Sequence, residues 1–208
     1  MYLLFFFPLL LAVAALATSC SNSRATEPDT RLFELRVYHP HPGKLEALHE
    51  RFRNHTLALF EKHGLEHVGY WTTELDGQEV LAYIVAFPDR AAKDRSWKAF
   101  LDDPEWKSAY QESIKDGYLV ARIDSTLLRA TDYSPALKQE AANPNRLFEL
   151  RTYKAAEGRL ENLDTRFKDA TMELFEKHGA TNLVYFHIEP GEEGADDTLI
   201  YLLAHDSL

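Results

Sequence analysis

The hexapeptide RLFELR at residues 31–36 decides the fold, because it returns at residues 146–151. A second block, LFEKHG at residues 59–64, returns at residues 174–179 with the same offset of 115 residues. Two blocks that keep one spacing indicate an internal duplication rather than chance. We therefore expect two copies of one structural unit within the 208 residues of the chain.

The first copy has the order of strands and helices that is typical of a βαββαβ, ferredoxin-like unit. Apolar side chains at alternate positions of residues 32–38 predict the first strand. Helical spacing of apolar side chains up to Gly64 predicts the helix that follows. Asp89 and Asp103 are each suited to cap a helix. The predicted strands cover residues 31–40, 68–73, 80–87 and 118–130, and the predicted helices cover residues 44–63, 89–101 and 104–116.

The second copy is shorter than the first. It repeats the first strand, the helix and two more strands, over residues 146–155, 158–178, 183–188 and 198–205. The chain stops at Leu208 before a counterpart of the later helices and the fourth strand, so we interpret the sequence as a fragment. We then expect Leu199, Tyr201 and Leu203 to be poorly covered, and residues 147–153 to form an open sheet edge.

The N-terminus is typical of a secretion signal followed by an anchor. Residues 1–19 contain no charged side chain, which predicts a signal peptide. Cys20 follows small residues as in a bacterial lipobox, and we expect it to be lipidated; as the single cysteine, it can form no intrachain disulfide. The alternatives are ordinary cleavage near Ser19 or an uncleaved anchor. The predicted location is the periplasm or the outer membrane, after secretion across the inner membrane.

The chain therefore divides into five parts. Residues 21–30 are polar and aperiodic, which predicts a flexible tether. The parts are a signal peptide, the lipidated cysteine with its tether, a first domain, a linker and a partial second domain, over residues 1–19, 20–30, 31–133, 134–145 and 146–208.

The charge of the chain limits its partners. The formal net charge is −10, which disfavours nucleic acid and anionic membranes because an acidic surface does not attract them. Contact with a membrane is expected only through the N-terminal lipid or leader.

Three features of the first copy resemble a NIPSNAP domain. They are the opening strand at residues 31–38, the helix with Gly43 and Phe52, and the segment DPEW at residues 103–106. The resemblance covers residues 31 to about 133 in full and the second copy in part. It implies the dimeric α/β-barrel superfamily, in which two ferredoxin-like sheets pack face to face. The two copies would then form a pseudo-dimer within one chain, and the fold class is α+β.

The superfamily that this resemblance implies includes cofactor-independent monooxygenases, isomerases and haem-degrading enzymes. The NIPSNAP family itself supplies no settled catalytic residues to carry over, so the catalytic residues stay unknown. What the resemblance implies for function is a cavity that holds a small ligand, inside the barrel or between the sheet and the helices.

One polar face of the first strand is the candidate ligand site. Its residues and their duplicates are Glu34, Arg36, Tyr38, Glu149, Arg151 and Tyr153. We expect them to face away from the helices and to line the barrel interior. A Glu–Arg pair beside a phenol could hold a carboxylate or polarise a carbonyl. The alternative is a structural salt bridge that sets the barrel register.

Metal and cofactor chemistry find little support in the sequence. His39 and His41 could face the same side, but the second copy has Lys154 and Ala156 at these positions. We expect no metal site and no cofactor, since no regular ligand spacing supports one. Trp97, Trp106 and Tyr110 lie at helical spacing and are interpreted as core.

The sequence thus favours an envelope protein that binds a small molecule or a partner protein through its barrel. One alternative is a cofactor-independent monooxygenase or isomerase acting on a small organic substrate. Another is a structural dimerisation module. A homo-oligomer is compatible with each of these functions.

Overall fold

The computed structural model of the chain describes residues 29–137 and 146–206. The predicted signal peptide, Cys20, almost all of the tether and most of the linker lie outside the described residues. Within those two ranges no helix is both long enough and apolar enough to cross a membrane.

The first unit contains four strands and four helices. The strands are β1 (Leu32–Pro40), β2 (Glu66–Leu75), β3 (Gln78–Phe87) and β4 (Val120–Ala130). The helices are α1 (Leu45–Arg51), α2 (Leu57–Lys62), α3 (Arg90–Asp102) and α4 (Pro104–Ser113). A π-helical turn, Phe52–Thr56, separates α1 from α2, so the single helix predicted here is interrupted.

Two aspartates begin the helices that cover the first unit. The Asp89 carboxylate accepts a hydrogen bond from the backbone N–H of Ala92 at 2.7 Å. The Asp103 carboxylate accepts one from the backbone N–H of Glu105 at 2.7 Å, and Pro104 takes the first helical position. Both caps were predicted from sequence, and each satisfies a backbone N–H that the helix itself leaves free.

The second unit contains three strands in the described residues. They are β5 (Leu147–Lys154), β6 (Ala180–Ile188) and β7 (Thr198–His205). Its helices are α5 (Leu160–Arg166) and α6 (Met172–Lys177), separated by the π-helical turn Phe167–Thr171. The predicted strand–helix–strand–strand order is therefore present.

All seven strands form one antiparallel sheet with the order β2-β3-β1-β4-β6-β7-β5. The two units meet where Leu128 to Ala130 of β4 pair with Phe186 to Ile188 of β6. Although β2 and β5 are the two ends of this order, the rings of Trp71 on β2 and Phe148 on β5 lie 5.9 Å apart. The sheet is therefore rolled into a barrel, and its seam is closed by side chains. The predicted α+β fold class is confirmed.

The barrel interior is apolar and draws on both units. Its buried residues are Phe33, Leu35, Ile84, Ala86, Leu128, Val184, Phe186, Ile188, Ile200 and Leu202. A second cluster lies between the sheet of the first unit and its helices, and it includes Tyr38, Tyr83 and Phe52. A third cluster, with Phe167 and Tyr201, lies under the helices of the second unit.

These clusters correct the predicted orientation of β1. Phe33 and Leu35 face the barrel interior, whereas Glu34, Arg36 and Tyr38 line a cavity on the helix side. The prediction assumed that the apolar face of the strand packs on the helices. Both faces of β1 are covered, so alternation defined the two faces without showing which one meets the helices.

The expected poor coverage of β7 is also wrong. Leu199 and Tyr201 are fully buried and Leu203 is 1% exposed, because β7 lies between β6 and β5 and is covered by α6 and the second π-helical turn. The open edge predicted at residues 147–153 is present, because this strand, β5, pairs only with β7 in the described residues. Leu147 and Leu150 of β5 are exposed.

Candidate functional site

Glu34 is a buried carboxylate at the centre of a hydrogen-bond network on the helix side of β1. One oxygen accepts hydrogen bonds from Arg36 and from the Ser125 hydroxyl, both at 2.7 Å. The other oxygen accepts the indole N–H of Trp97 at 2.6 Å. Only 2% of the Glu34 side chain is exposed, and these three donors replace the water that a buried carboxylate loses.

Arg36 connects this carboxylate to aromatic rings. Its guanidinium carbon lies 4.5 Å from the ring centroid of Trp97 and 5.6 Å from that of Tyr38. Burial opposes the charge, but Tyr38, Tyr83 and Glu34 raise the pKa of Arg36 above its ordinary value. Arg36 therefore stays protonated and forms an ion pair with Glu34.

The network forms one end of a cavity of about 790 Å³ enclosed by β1, β4 and the helices of the first unit. All the residues that line it belong to that unit. The aromatic ones are Tyr38, Phe52, Phe60, Trp97, Phe100, Trp106, Tyr110 and Tyr118. Trp97 and Trp106 were predicted to be core, and they are wall as well as core because α3 and α4 stand away from the sheet here.

Arg51 enters the same cavity from the last turn of α1 and is 6% exposed. Its guanidinium carbon lies 5.4 Å from the ring centroids of both Trp106 and Tyr110. A π-helical turn follows it directly, and the Thr56 hydroxyl of that turn donates to the Arg51 carbonyl at 3.2 Å. Such turns re-aim side chains within a helix and occur often at functional sites.

Behind Tyr38, which lines the cavity, Tyr70 and Tyr83 belong to the core cluster between the sheet and the helices. Tyr83 donates its phenol hydrogen to the Tyr38 oxygen at 3.1 Å and stacks on Tyr70 with ring centroids 5.4 Å apart. Burial raises the pKa of both Tyr70 and Tyr83 above the ordinary value. Because these phenols stay neutral, they act as hydrogen-bonding groups and apolar surface.

The second copy of the predicted site has a different environment. Arg151 donates to Glu149 at 2.7 Å, as in the first copy, and Tyr153 packs edge-on against Tyr201. The Glu149 side chain is, however, 38% exposed. In the part of the chain that the structure describes, no helix of the second unit covers this pair as α3 covers Glu34. The structure thus brings Glu34, Arg36 and Tyr38 together around a cavity and leaves Glu149, Arg151 and Tyr153 near solvent.

Sequence reasoning missed Arg51, although a signal for it was present. An Arg–Phe pair begins the π-helical turn in both copies, as Arg51 and Phe52 and as Arg166 and Phe167. An arginine beside apolar positions of a packed helix is unusual, since charged side chains are seldom buried without a role.

In the described ranges, no group of three or more His, Cys, Asp or Glu side chains converges as a metal site.

The fold and the site define a class: an α+β barrel protein with a ligand-sized cavity between the sheet and the helices of its first unit. The sequence profile of the NIPSNAP family matches residues 33–135. Residues 33–135, the unit that contains the cavity, therefore belong to the NIPSNAP family.

A curated relative agrees with this assignment. The protein NipSnap homolog of Dictyostelium discoideum is 26% identical over 133 residues, which are 63% of this chain and 52% of that protein. The chain thus spans about half the length of this curated relative. An uncharacterized NIPSNAP-like domain protein from Burkholderia xenovorans is 19% identical over 55% of this chain and 97% of its own, with a TM-score of 0.47.

The rolled sheet as a whole also has a counterpart among solved structures. A protein of Fusobacterium nucleatum named "Putative monooxygenase" superposes on this chain with a TM-score of 0.58. The superposition covers 86% of this chain and 77% of that protein. Its sequence identity is 11%, so the likeness concerns the fold alone.

Proposed function

We propose that this protein binds a small organic molecule in the cavity between β1, β4 and the helices of the first unit. The observation that carries the proposal is the composition of that cavity: about 790 Å³ enclosed by aromatic rings, with the Glu34–Arg36 network at one end. Ligand pockets in proteins have roughly 300–1,000 Å³ and combine apolar walls with a few convergent polar groups. The site lies on the helix side of the sheet rather than within the barrel.

The arrangement of Glu34 supports binding better than proton abstraction. A general base needs a free lone pair within reach of the substrate proton. Here Arg36, Ser125 and Trp97 already donate to three of the roughly four lone-pair positions of the Glu34 carboxylate. The network is suited to hold the Arg36 guanidinium and the Trp97 ring in one orientation, which is the role of a preorganised binding site.

Blocking the cavity tests this function. Ala121 lines the cavity but is exposed, so Ala121→Trp inserts a ring with little disturbance of the core. We expect naphthoate and naphthamide, titrated by calorimetry, to bind the wild-type protein, and Ala121→Trp to weaken both by at least about tenfold, since an occupied pocket excludes them. Ala99→Trp, at an exposed position of α3 outside the cavity, should bind both normally. If neither compound binds, or if Ala121→Trp has no effect, the proposal is wrong.

The location of the protein is a separate proposal that depends on the sequence. The charge-free residues 1–19 and the single Cys20 support an envelope lipoprotein. Mass spectrometry of the mature N-terminus should find lipid on Cys20. A mature protein that begins at Ser21 or retains Met1 would contradict this proposal.

A further inference from the structure

The charge of the cavity is opposite to that of the whole protein. The chain has a formal net charge of −10, yet Glu34 is the single acidic residue among the residues that line the cavity. The basic residues that line it are Arg36, Arg51, Lys93, Lys107 and Arg122. Walls of low dielectric strengthen the field of such charges and concentrate an oppositely charged ligand.

Most of these cations already have an acidic neighbour. Arg122 lies 3.0 Å from Asp124, and Lys93 lies 3.3 Å from Asp94. Lys107 lies 3.7 Å from Asp102. Arg36 is paired with Glu34 inside the cavity. The excess positive charge of the interior therefore belongs to Arg51.

Among the described residues, Arg51 has no carboxylate within ion-pair distance. One hydrogen bond of its guanidinium is formed, from Nη1 to the Ser113 hydroxyl at 3.3 Å. Its Nε is buried and has no partner, and burial lowers the pKa of the group. A buried guanidinium without a carboxylate partner destabilises a fold, because the charge loses its hydration without gaining an ion pair, and the two aromatic rings beside it offset only part of that loss. Such a group is retained where a ligand supplies the missing charge.

We propose that the cavity takes an organic anion, a carboxylate on a planar aromatic body, with Arg51 as the anchor of the carboxylate. The planar fork of a guanidinium matches a carboxylate in a two-point contact. The rings of Trp106 and Tyr110 beside Arg51 provide faces on which a flat apolar body can stack. This inference rests on the proposed small-molecule function and adds the charge and the shape of the ligand.

The duplication supplies a matched control position. Arg166 is the residue 115 positions after Arg51 and precedes the same π-helical turn. It lies at 5.7 Å over the ring of Phe167, but it is exposed and does not line the cavity. The two arginines thus have similar local sequences and the same π-helical turn after them, but Arg51 is buried in the cavity whereas Arg166 is exposed.

The test compares naphthoate with naphthamide, which have the same ring system and differ in charge. We expect calorimetry to show that the wild-type protein binds naphthoate about 10- to 100-fold more tightly than naphthamide, the range for a hydrogen bond to a charged group. Arg51→Met should remove this difference while naphthamide binding stays within about threefold of wild type. Arg166→Met should leave both affinities unchanged.

Unfolding of the ligand-free proteins separates a binding role from a structural one. If Arg51 serves ligand binding rather than stability, Arg51→Met should unfold in urea at the same or a higher midpoint than wild type. The reason is that methionine keeps the apolar stem and removes the buried charge. Equal affinities of wild type for naphthoate and naphthamide would overturn the anion proposal while leaving the cavity function in place. A lower urea midpoint for Arg51→Met together with unchanged naphthoate affinity would overturn it as well.

Discussion

Glu34 and Glu149 occupy equivalent positions of the two copies, and their environments show how much one residue depends on its surroundings. The Glu34 side chain is 2% exposed and accepts three hydrogen bonds, whereas the Glu149 side chain is 38% exposed. Arg151 lowers the pKa of Glu149, with a smaller contribution from His205. The same Glu–Arg pair is thus part of a cavity wall in one unit and a partly solvated ion pair in the other, where it contributes little stability.

Asp103 is the residue for which acid sensitivity is expected. Hydrogen bonds from Lys62 and His63, followed by one from the Glu105 backbone, hold the pKa of Asp103 well below its ordinary value against the effect of burial. A carboxylate with a depressed folded-state pKa stabilises the fold above its unfolded pKa of about 3.9, and this stabilisation is lost as the pH falls through the folded value.

We therefore expect Asp103→Asn, which can still cap α4, to lower the urea midpoint near pH 7. The difference from wild type should shrink as the pH falls below about 4. Asp89→Asn makes the same change at the cap of α3, where the described contacts include no ion pair, and should lower the midpoint near pH 7 by less. A difference for Asp103→Asn that stays constant down to about pH 2 would contradict the linkage.

Among the elements, β2 joins the two units through its irregular start. The pairing of β2 with β3 shifts register between His67 and Gly69, which is typical of a β-bulge. A Cβ at Gly69 would overlap the indole ring of Trp71. Trp71 in turn contacts Phe148 across the seam of the barrel. The absence of a side chain at residue 69 thus allows the indole to reach the second unit.

Gly69→Ala should push the Trp71 ring away from Phe148 and destabilise the protein by about 1–3 kcal/mol, the range for overpacking. Thermal unfolding and the emission maximum of tryptophan fluorescence measure the two effects. Because the overlap involves the indole alone, Gly69→Ala should destabilise the protein much less in a Trp71→Leu background. Equal costs in the two backgrounds would show that the strain lies in the backbone instead.

At the scale of the whole molecule, the rolled sheet has two edges that no backbone pairing closes in the described residues. The strands at these edges are β2 and β5. Leu147 and Leu150 on β5 are 42% and 39% exposed. A strand with free backbone groups and apolar side chains is a template for pairing with another chain.

We therefore expect the protein to self-associate as its concentration rises, through the edge of β5. Light scattering over a dilution series should show a mass that increases with concentration. Leu150→Lys should reduce this association, because a charge on an edge strand opposes strand addition. Leu101→Lys makes the same change at an exposed leucine of α3, a helix of the first unit, and should not reduce it. A mass that stays that of a monomer at all concentrations would rule out the open edge as an association site.

The amino-acid sequence by itself determined the duplication, the order of the elements and most of their ends. These features are local. The caps at Asp89 and Asp103 act within one helical turn, and β7 spans Thr198–His205 as predicted. The family resemblance carried by residues 31–38 was also confirmed, because a short sequence motif can be recognised without knowledge of the tertiary structure.

Only the tertiary structure decided which face of β1 meets the helices, and therefore where the candidate site lies. Alternation has a period of two and marks two faces, but it cannot rank two faces that are both buried. The cavity joins residues as distant in the chain as Glu34 and Ser125, and it receives Arg51, whereas Arg166 at the equivalent position of the second copy is exposed. Such contacts depend on how the sheet rolls and on how far α3 and α4 stand from it, which no local pattern encodes.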